Sequence, residues 1–432
     1  MKNPLEIFEE IACIPHISFH TQELFEWIVR FANSCGYGVQ TDKTGNIYAF
    51  GKNPRFCLQS HYDMVGVGEA NKQKPLELYI EDNFLKAKNS SLGADNGIGV
   101  AMQLYLMQKY KDLEFLFTNN EEVGLLGAKS LEMKIISHRL INIDSESFGE
   151  IILGCAGGYD MNVVFDLKSD KSFYKNTYQI TARGFQGGHS GVDIHKDIKN
   201  AIVEICYFID KVDGGICSIV AGEKINSIPV NSQAIIKTNQ IINSSEDFLV
   251  QEIKSTSVCY DKKAIIDFIL GIQNGVRLKD GDDVIDSVNI SLLSQEKSKI
   301  KISLMGRSNT KSLLDNSLLE AQKLAKRIDP NAQITIDDFY FPWQRNISDD
   351  DEFLRSVKNA FGDHFVKVCQ IHAGLECGIL QERFEAMGKK DVKMLSIGPT
   401  ILSPHSVNER LDINSFKSFS KVLENLVENY KI

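Results

Sequence analysis

The sequence predicts an α/β fold in which a doubly wound domain, built from both ends of the chain, is interrupted by an inserted α+β domain. Three observations carry that expectation. Short apolar runs alternate with helically spaced segments in the first third of the chain. Strand-like segments with one polar face occupy the middle, and the first pattern returns near the end. The length of 432 residues exceeds what one hydrophobic core usually organises, so two domains are expected.

Residues 5–12 and 21–35 space Ile, Phe, Leu and Trp helically, and Gly36 and Gly38 close the second of these helices. Residues 46–50, 56–59, 113–117 and 140–143 are short apolar runs of the kind found in buried strands. Between them, residues 98–110 put Ile98, Ala101, Met102, Tyr105 and Leu106 on one helical face. In the middle, residues 178–183 alternate like a half-exposed strand, 198–209 read as a helix, and 217–221 and 234–238 as strands. A polar, poorly patterned stretch follows at 243–263. Residues 288–336 then repeat the theme, with strands at 288–293, 300–304 and 334–336 and a helix at 313–325. Amphipathic helices at 353–361 and 416–427 flank a strand at 393–397. The expected division is 1–168 plus 343–432 for the doubly wound domain and 169–342 for the insert.

Hydrophobic residues at 43% and charged residues at 24% fit a folded globular chain. The net charge of −9 comes without a dense Lys/Arg run, so no nucleic-acid partner is expected. No apolar segment approaches the ~20 residues needed to cross a bilayer, so no membrane partner is expected either. The N-terminal residues lack a signal-peptide core, and the 9 cysteines are scattered without a CxxC pair. Reduced thiols in a cytoplasmic protein are the expectation.

The chemically rich residues fall where predicted elements begin or end. The strand at 56–59 runs into Ser60-His61-Tyr62-Asp63, and that at 113–117 into Asn119-Asn120-Glu121-Glu122. The strand at 140–143 ends in Asp144, and the loop after 393–397 carries His405. Gly93-Ala94-Asp95-Asn96-Gly97 opens the helix at 98–110. Doubly wound sheets gather ligands at the carboxyl ends of their strands. Taken singly, Glu121-Glu122 is a solvated loop and Asp95-Asn96-Gly97 a turn or cap. Their shared placement is what points to chemistry. Two imidazoles and three carboxylates, one of them bridging, suit a pair of divalent ions, zinc first, with manganese or cobalt also fitting. Two dications against three carboxylates and one hydroxide sum to zero charge. The other member of the Glu121-Glu122 pair is then left to move protons. Asp63, two residues after His61, shares its strand face and can hold the imidazole tautomer.

These segments resemble the M20 metallopeptidases, and within them the aminoacyl-histidine dipeptidase subgroup. The resemblance rests on Ser60-His61-Tyr62-Asp63-Met64-Val65, Leu92-Gly93-Ala94-Asp95-Asn96-Gly97-Ile98-Gly99 and Glu121-Glu122-Val123-Gly124. It continues through Asn142-Ile143-Asp144-Ser145-Glu146, Gly154-Cys155-Ala156-Gly157-Gly158, His372-Ala373-Gly374-Leu375-Glu376-Cys377-Gly378 and Ile397-Gly398-Pro399 with His405. It implies a zinc-peptidase-like catalytic domain and an inserted lid or dimerisation domain, with which a homodimer is compatible. It also implies that Asp95 bridges the ions, with His61 and Asp144 completing one site and Glu122 and His405 the other. Glu121 becomes the general base, Asp63 the orienter of His61, and His189 in Gly187-Gly188-His189-Ser190-Gly191 the donor to the developing oxyanion. Asn226 and Arg307 match positions that bind the substrate carboxylate, and His372 and Glu376 could meet its amino group or merely shape a glycine-rich loop. The implied activity is hydrolysis of dipeptides, Xaa-His or broad in specificity, by a hydroxide activated at the two-metal centre. The alternatives are an N-acyl-amino-acid deacylase on the same scaffold and, more remotely, a metal-free binding protein.

Overall fold

Arg139–Asn142, Cys57–His61 and Glu114–Thr118 run parallel, side by side, and every residue of the last two is buried. That is the pattern of a sheet covered on both faces. The computed structural model describes residues 1–430 and divides into two compact units. The first unit joins Met1–Gly154, Trp343–Gln370 and the chain from Leu375 onward; the second holds Cys155–Pro342 and Ile371–Gly374. The fold is α/β, as the sequence predicts.

The first unit is organised on an eight-stranded sheet. Its spatial order is Gly38–Thr41, Ile47–Phe50, Glu114–Thr118, Cys57–His61, Arg139–Asn142, Lys393–Ser396, Glu150–Cys155 and Lys367–Ile371. The Ala94–Lys109 helix packs on the Cys57–His61 strand and on the Pro4–Ala12 helix. Ile7, Phe8, Ile98, Met102, Leu58 and Phe115 meet in the shared core. A second, four-stranded sheet joins the hairpin Leu78–Glu81 and Phe84–Ala87 to Arg410–Asp412 and Ile401–Leu402. Its strands are two to four residues long, too short for the sequence pattern to register, yet they anchor the loop carrying His405.

Local chemistry explains the helix ends. Asn3 accepts the N–H groups of Leu5 and Glu6, while the Glu6 carboxylate accepts the Asn3 N–H, so donors on both sides of the helix start are satisfied. At the far end of the chain, Arg55 Nη1 donates to the carbonyls of Val427 and Tyr430, both at 2.6 Å, and so closes the Ile413–Asn429 helix from outside. We expect Arg55→Ala to cost about 1–3 kcal/mol, because the bonds are charge-assisted and mostly shielded. Calorimetry would read this as a melting temperature lower by a few degrees.

In the second unit an eleven-stranded sheet has the main order Phe248–Glu252, Asn176–Ala182, Ser232–Thr238, Gly214–Ala221, Asp283–Glu296, Lys299–Ser308, Gly157–Asp166 and Gln333–Tyr340. Helices Ala201–Asp210, Lys263–Gly271 and Lys311–Ile328 pack in series, with Ile205, Phe268 and Leu314 in a common core with Ile302. The two halves of this sheet join only through Val220↔Ser294 and Ala221↔Leu293. Two differences from the sequence reading have physical causes. The strand Gly157–Asp166 pairs with Lys299–Ser308 and Gln333–Tyr340, so the chain leaves the first unit after Gly154 rather than near residue 168. Strand pattern reports burial, and does not report which sheet does the burying. The polar stretch 243–263 contains the strand Phe248–Glu252, which pairs with Asn176–Ala182 at the sheet margin and needs few apolar residues. No helix among the described residues is long and apolar enough to cross a membrane.

Candidate metal centre

Three parallel strands deliver their following loops to one edge of the first sheet. His61 ends the Cys57–His61 strand, Glu121 and Glu122 follow Glu114–Thr118, and Asp144 follows Arg139–Asn142. Two further loops bring Asp95 and His405 to the same place. His61 Nε2 lies 3.1 Å from Asp95 Oδ1 and 3.4 Å from Asp144 Oδ1. His405 Nε2 lies 2.9 Å from Asp95 Oδ2 and 2.9 Å from Glu122 Oε1. Asp95 therefore offers one oxygen to each of two groups, and each group contains one imidazole and two carboxylates.

The spacing can be tested against an ion. Ligand atoms about 2.1 Å from a tetrahedral zinc are roughly 3.4 Å apart, close to the separations above. His61, Asp95 and Glu122 also bring one ligand atom each within 4.8 Å of one another. None of Asp95, Glu121, Glu122, Asp144 or Glu376 pairs with Lys or Arg among the described residues. Burial and then the Asp95 charge push the Glu122 carboxyl up to about 7. Burial likewise raises Asp144, with His61 opposing and Asp95 adding to it. Burial would lower His405, but Asp95 and Glu122 carry it up to about 12. A set so rich in negative charge, with only two imidazoles against it, fits divalent cations.

Asp63 does more than the sequence suggested. The acceptor nearest His61 Nδ1 is the Asp63 carbonyl at 2.9 Å; the Asp63 carboxylate lies at 3.6 Å. Either contact leaves Nε2 for a metal. The Asp63 carboxylate also accepts Ser18 Oγ–H at 2.8 Å and the N–H groups of Glu121 at 2.9 Å and Glu122 at 3.3 Å. The Asp63 carbonyl thus faces the imidazole while its side chain pins the turn that carries both glutamates. Glu121 Oε2 stands 4.0 Å from His61 Nε2, farther than either carboxylate grouped with that imidazole.

Two of the expected substrate-contacting residues are engaged within the protein. Glu376 is 0% exposed, and its Oε2 accepts from Gln59 Nε2 and Thr118 Oγ1, both at 2.6 Å. Gln59 accepts in turn from Asn142, and Asn142 from Ser396, so Glu376 ends a polar ladder across four strands. These bonds tie Glu376 to the strands and favour a residue that shapes its glycine-rich loop. His372 is the second. Its Nε2 lies 2.7 Å from Ser287 Oγ and its Nδ1 3.2 Å from Asn309 Oδ1, so both ring nitrogens are engaged. Burial, with Arg307 beside it, pulls its pKa down to about 3 and keeps the ring neutral.

The other predicted residues of the second unit are arranged differently. Gly188–His189 pairs with Ser227–Ile228, which brings the His189 loop against that of Asn226; the Ser190 N–H donates to the Asn226 carbonyl at 2.9 Å. His189 Nδ1 accepts from the N–H groups of Gly191 at 3.2 Å and Val192 at 3.1 Å. The ring proton therefore sits on Nε2 and makes it a donor. Arg307 is 4% exposed and forms no ion pair among the described residues. Its Nη1 donates to Tyr340 Oη at 3.0 Å and its Nη2 faces Met305 Sδ at 3.3 Å. A Cβ on Gly191 would come 2.4 Å from the His372 carbonyl and 3.1 Å from Arg307 Nε, so only glycine lets the His189 loop approach Arg307 this closely.

Sequence reasoning missed Glu409. It is 3% exposed and receives four backbone N–H groups of the turn that presents Asp95. In Pro404-His405-Ser406-Val407-Asn408-Glu409-Arg410 it reads as a solvated loop acid; only its position four residues after His405 hinted otherwise.

Known proteins resemble the chain over almost its whole length. The chain is 30% identical to the cytosol non-specific dipeptidase of Escherichia coli over 98% of this chain and 96% of the relative. Among solved structures it resembles the aminoacylhistidine dipeptidase from Vibrio alginolyticus at 29% identity, with a TM-score of 0.77 over 99% of this chain and 96% of that one. A dinuclear metal binding peptidase of the M20 family from Bacillus subtilis shares the fold, at 12% identity and a TM-score of 0.55 over 98% of this chain and 96% of that one. With residues 57–429 also matching peptidase family M20/M25/M40, the chain belongs to that family.

Proposed function

We propose that this chain hydrolyses dipeptides at a two-metal centre, with broad or Xaa-His specificity. The observation that carries the proposal is Asp95, which offers opposite oxygens to two groups of one imidazole and two carboxylates. His61, Asp95 and Asp144 would hold one ion, and His405, Asp95 and Glu122 the other. Zinc is the first candidate, with manganese and cobalt compatible with the same N/O donors. When bound, such a pair of ions polarises a carbonyl and acidifies a shared water.

The protein's own groups then do the following. Glu121 takes the proton of the attacking water and passes it to the leaving amine nitrogen. Asp63 fixes His61 and the Glu121-Glu122 turn together. His189 donates its Nε2–H to the peptide oxygen as negative charge grows there, from its own chain or from a second copy in a homodimer. Arg307, assisted by Asn226, receives the carboxylate end of the substrate. The resemblance to cytosol non-specific dipeptidase supports both the substrate class and a cytoplasmic location.

A hydrolysis panel tests this reading: dipeptides including β-alanyl-histidine, tripeptides and N-acyl-amino acids, each with zinc, manganese and cobalt. Dipeptides should be cleaved fastest, and chelation should abolish turnover and lower the melting temperature until metal is restored. Cleavage of acyl-amino acids with dipeptides untouched would make the chain a deacylase. Fewer than one divalent ion per chain after gentle purification would favour a metal-free binding protein.

A further inference from the structure

We propose that Glu409 is a positioning residue that locks the Asp95 turn to the His405 loop and thereby sets the geometry of the shared ion site. The inference rests on the two-metal reading above. Glu409 Oε2 accepts the N–H groups of Leu92 at 2.8 Å and Gly93 at 3.2 Å, and Oε1 accepts those of Ala94 at 2.8 Å and Asp95 at 3.3 Å. These consecutive amides lie in the turn that opens the Ala94–Lys109 helix, ahead of the non-helical Asp95 and Asn96, where N–H groups have no partner within the helix. A polar side chain at the residue before a helix ordinarily caps it. Here that residue is Gly93, in the left-handed conformation at φ 69° and with no side chain to offer. The cap comes instead from a carboxylate 316 residues further along the chain.

That distance separates Glu409 from an ordinary cap. A local side chain would stabilise the helix equally well but would connect it to nothing else. Glu409 belongs to the loop of His405, which Ile401–Leu402 and Arg410–Asp412 hold in the four-stranded sheet. Its own N–H donates to the Ser406 carbonyl, so the path from His405 to Glu409 is short and folded back on itself. One loop therefore supplies an imidazole nitrogen 2.9 Å from Asp95 Oδ2 and also grips the Asp95 amide. Any movement of the His405 loop carries the Asp95 turn with it. The spacing between a bridging carboxylate and one of its imidazole partners is thus built into a single clamp.

The chemistry of the clamp makes it sensitive to conservative change. Both oxygens are used twice, so Glu409→Gln must turn an NH2 group toward two N–H donors. Glu409→Asp keeps both acceptors but withdraws them by one methylene. The test is cobalt(II) titration of both variants and the wild type, following stoichiometry, affinity and the visible d–d spectrum, with circular dichroism and thermal melting alongside. We expect Glu409→Gln to remain folded while binding at least one equivalent of cobalt roughly 10–100-fold more weakly, with an altered spectrum. Glu409→Asp should fall between it and the wild type. A lower melting temperature with unchanged affinity and spectrum would overturn the proposal and leave only a helix cap. Failure of both variants to fold would overturn it in the same sense. A wild type that binds less than one equivalent would instead sink the two-metal reading itself.

Discussion

Glu121→Ala is expected to keep both ions and to lose about 10²–10⁴-fold in kcat, the range that a positioned general base supplies. Glu121 stands 4.0 Å from His61 Nε2, whereas Glu122 lies 2.9 Å from His405 Nε2, so the neighbouring glutamates divide the work. Burial raises the Glu121 carboxyl well above the usual range; His61 opposes the shift, and Glu122, Asp144 and Glu376 add to it. Removing its side chain takes away the proton acceptor and leaves both ion-facing groups complete. Elemental analysis beside steady-state kinetics checks the two halves separately. Near-normal turnover would remove Glu121 from the mechanism, and loss of an ion would make it a ligand instead.

Arg307→Met should lower kcat/KM for dipeptides by about two orders of magnitude, mainly through KM, without lowering the melting temperature. The opposite directions of the two effects follow from burial. A guanidinium that is 4% exposed with no carboxylate partner among the described residues carries a desolvation cost that Tyr340 and Met305 offset only in part. Replacing it with an apolar chain of similar length relieves that cost, as happens for buried charges elsewhere. The same unmet charge is what a substrate carboxylate would satisfy, in bidentate geometry and away from water. A dipeptide amidated at its C-terminus provides the control. The wild type should lose most of its activity on amidation, and the variant should scarcely distinguish the two substrates. A variant that binds acid and amide as differently as the wild type would show that Arg307 does not read the carboxylate.

The residues of the candidate ion site were legible because each follows a buried apolar run or opens a helix. The runs at 56–59, 113–117 and 140–143 correspond to the strands Cys57–His61, Glu114–Thr118 and Arg139–Asn142, and period and length suffice to find them. The helix at 98–110 matches the continuous part of Ala94–Lys109, since Asp95 and Asn96 depart from helical geometry ahead of it. The Glu409 grip on the preceding turn has no local signal. Glu376 and His372 sit in a motif rich in glycine, and only tertiary contacts, with Gln59 and Thr118 or with Ser287 and Asn309, show what engages them. Gly157–Asp166 marks the same limit at the level of domains, since its mostly buried run is compatible with either sheet.

The position of Asp95 between two imidazoles has a thermodynamic consequence for two ions bound there. One carboxylate facing both positions means that their occupancies are linked rather than independent. Whatever factor the first ion imposes on the affinity of the second, the second imposes equally on the first. Substitutions at His61 or Asp144 can be assigned to one position, and those at His405 or Glu122 to the other. A substitution at Asp95 reports the coupling as well as both intrinsic affinities, and cannot be divided between them without the other four.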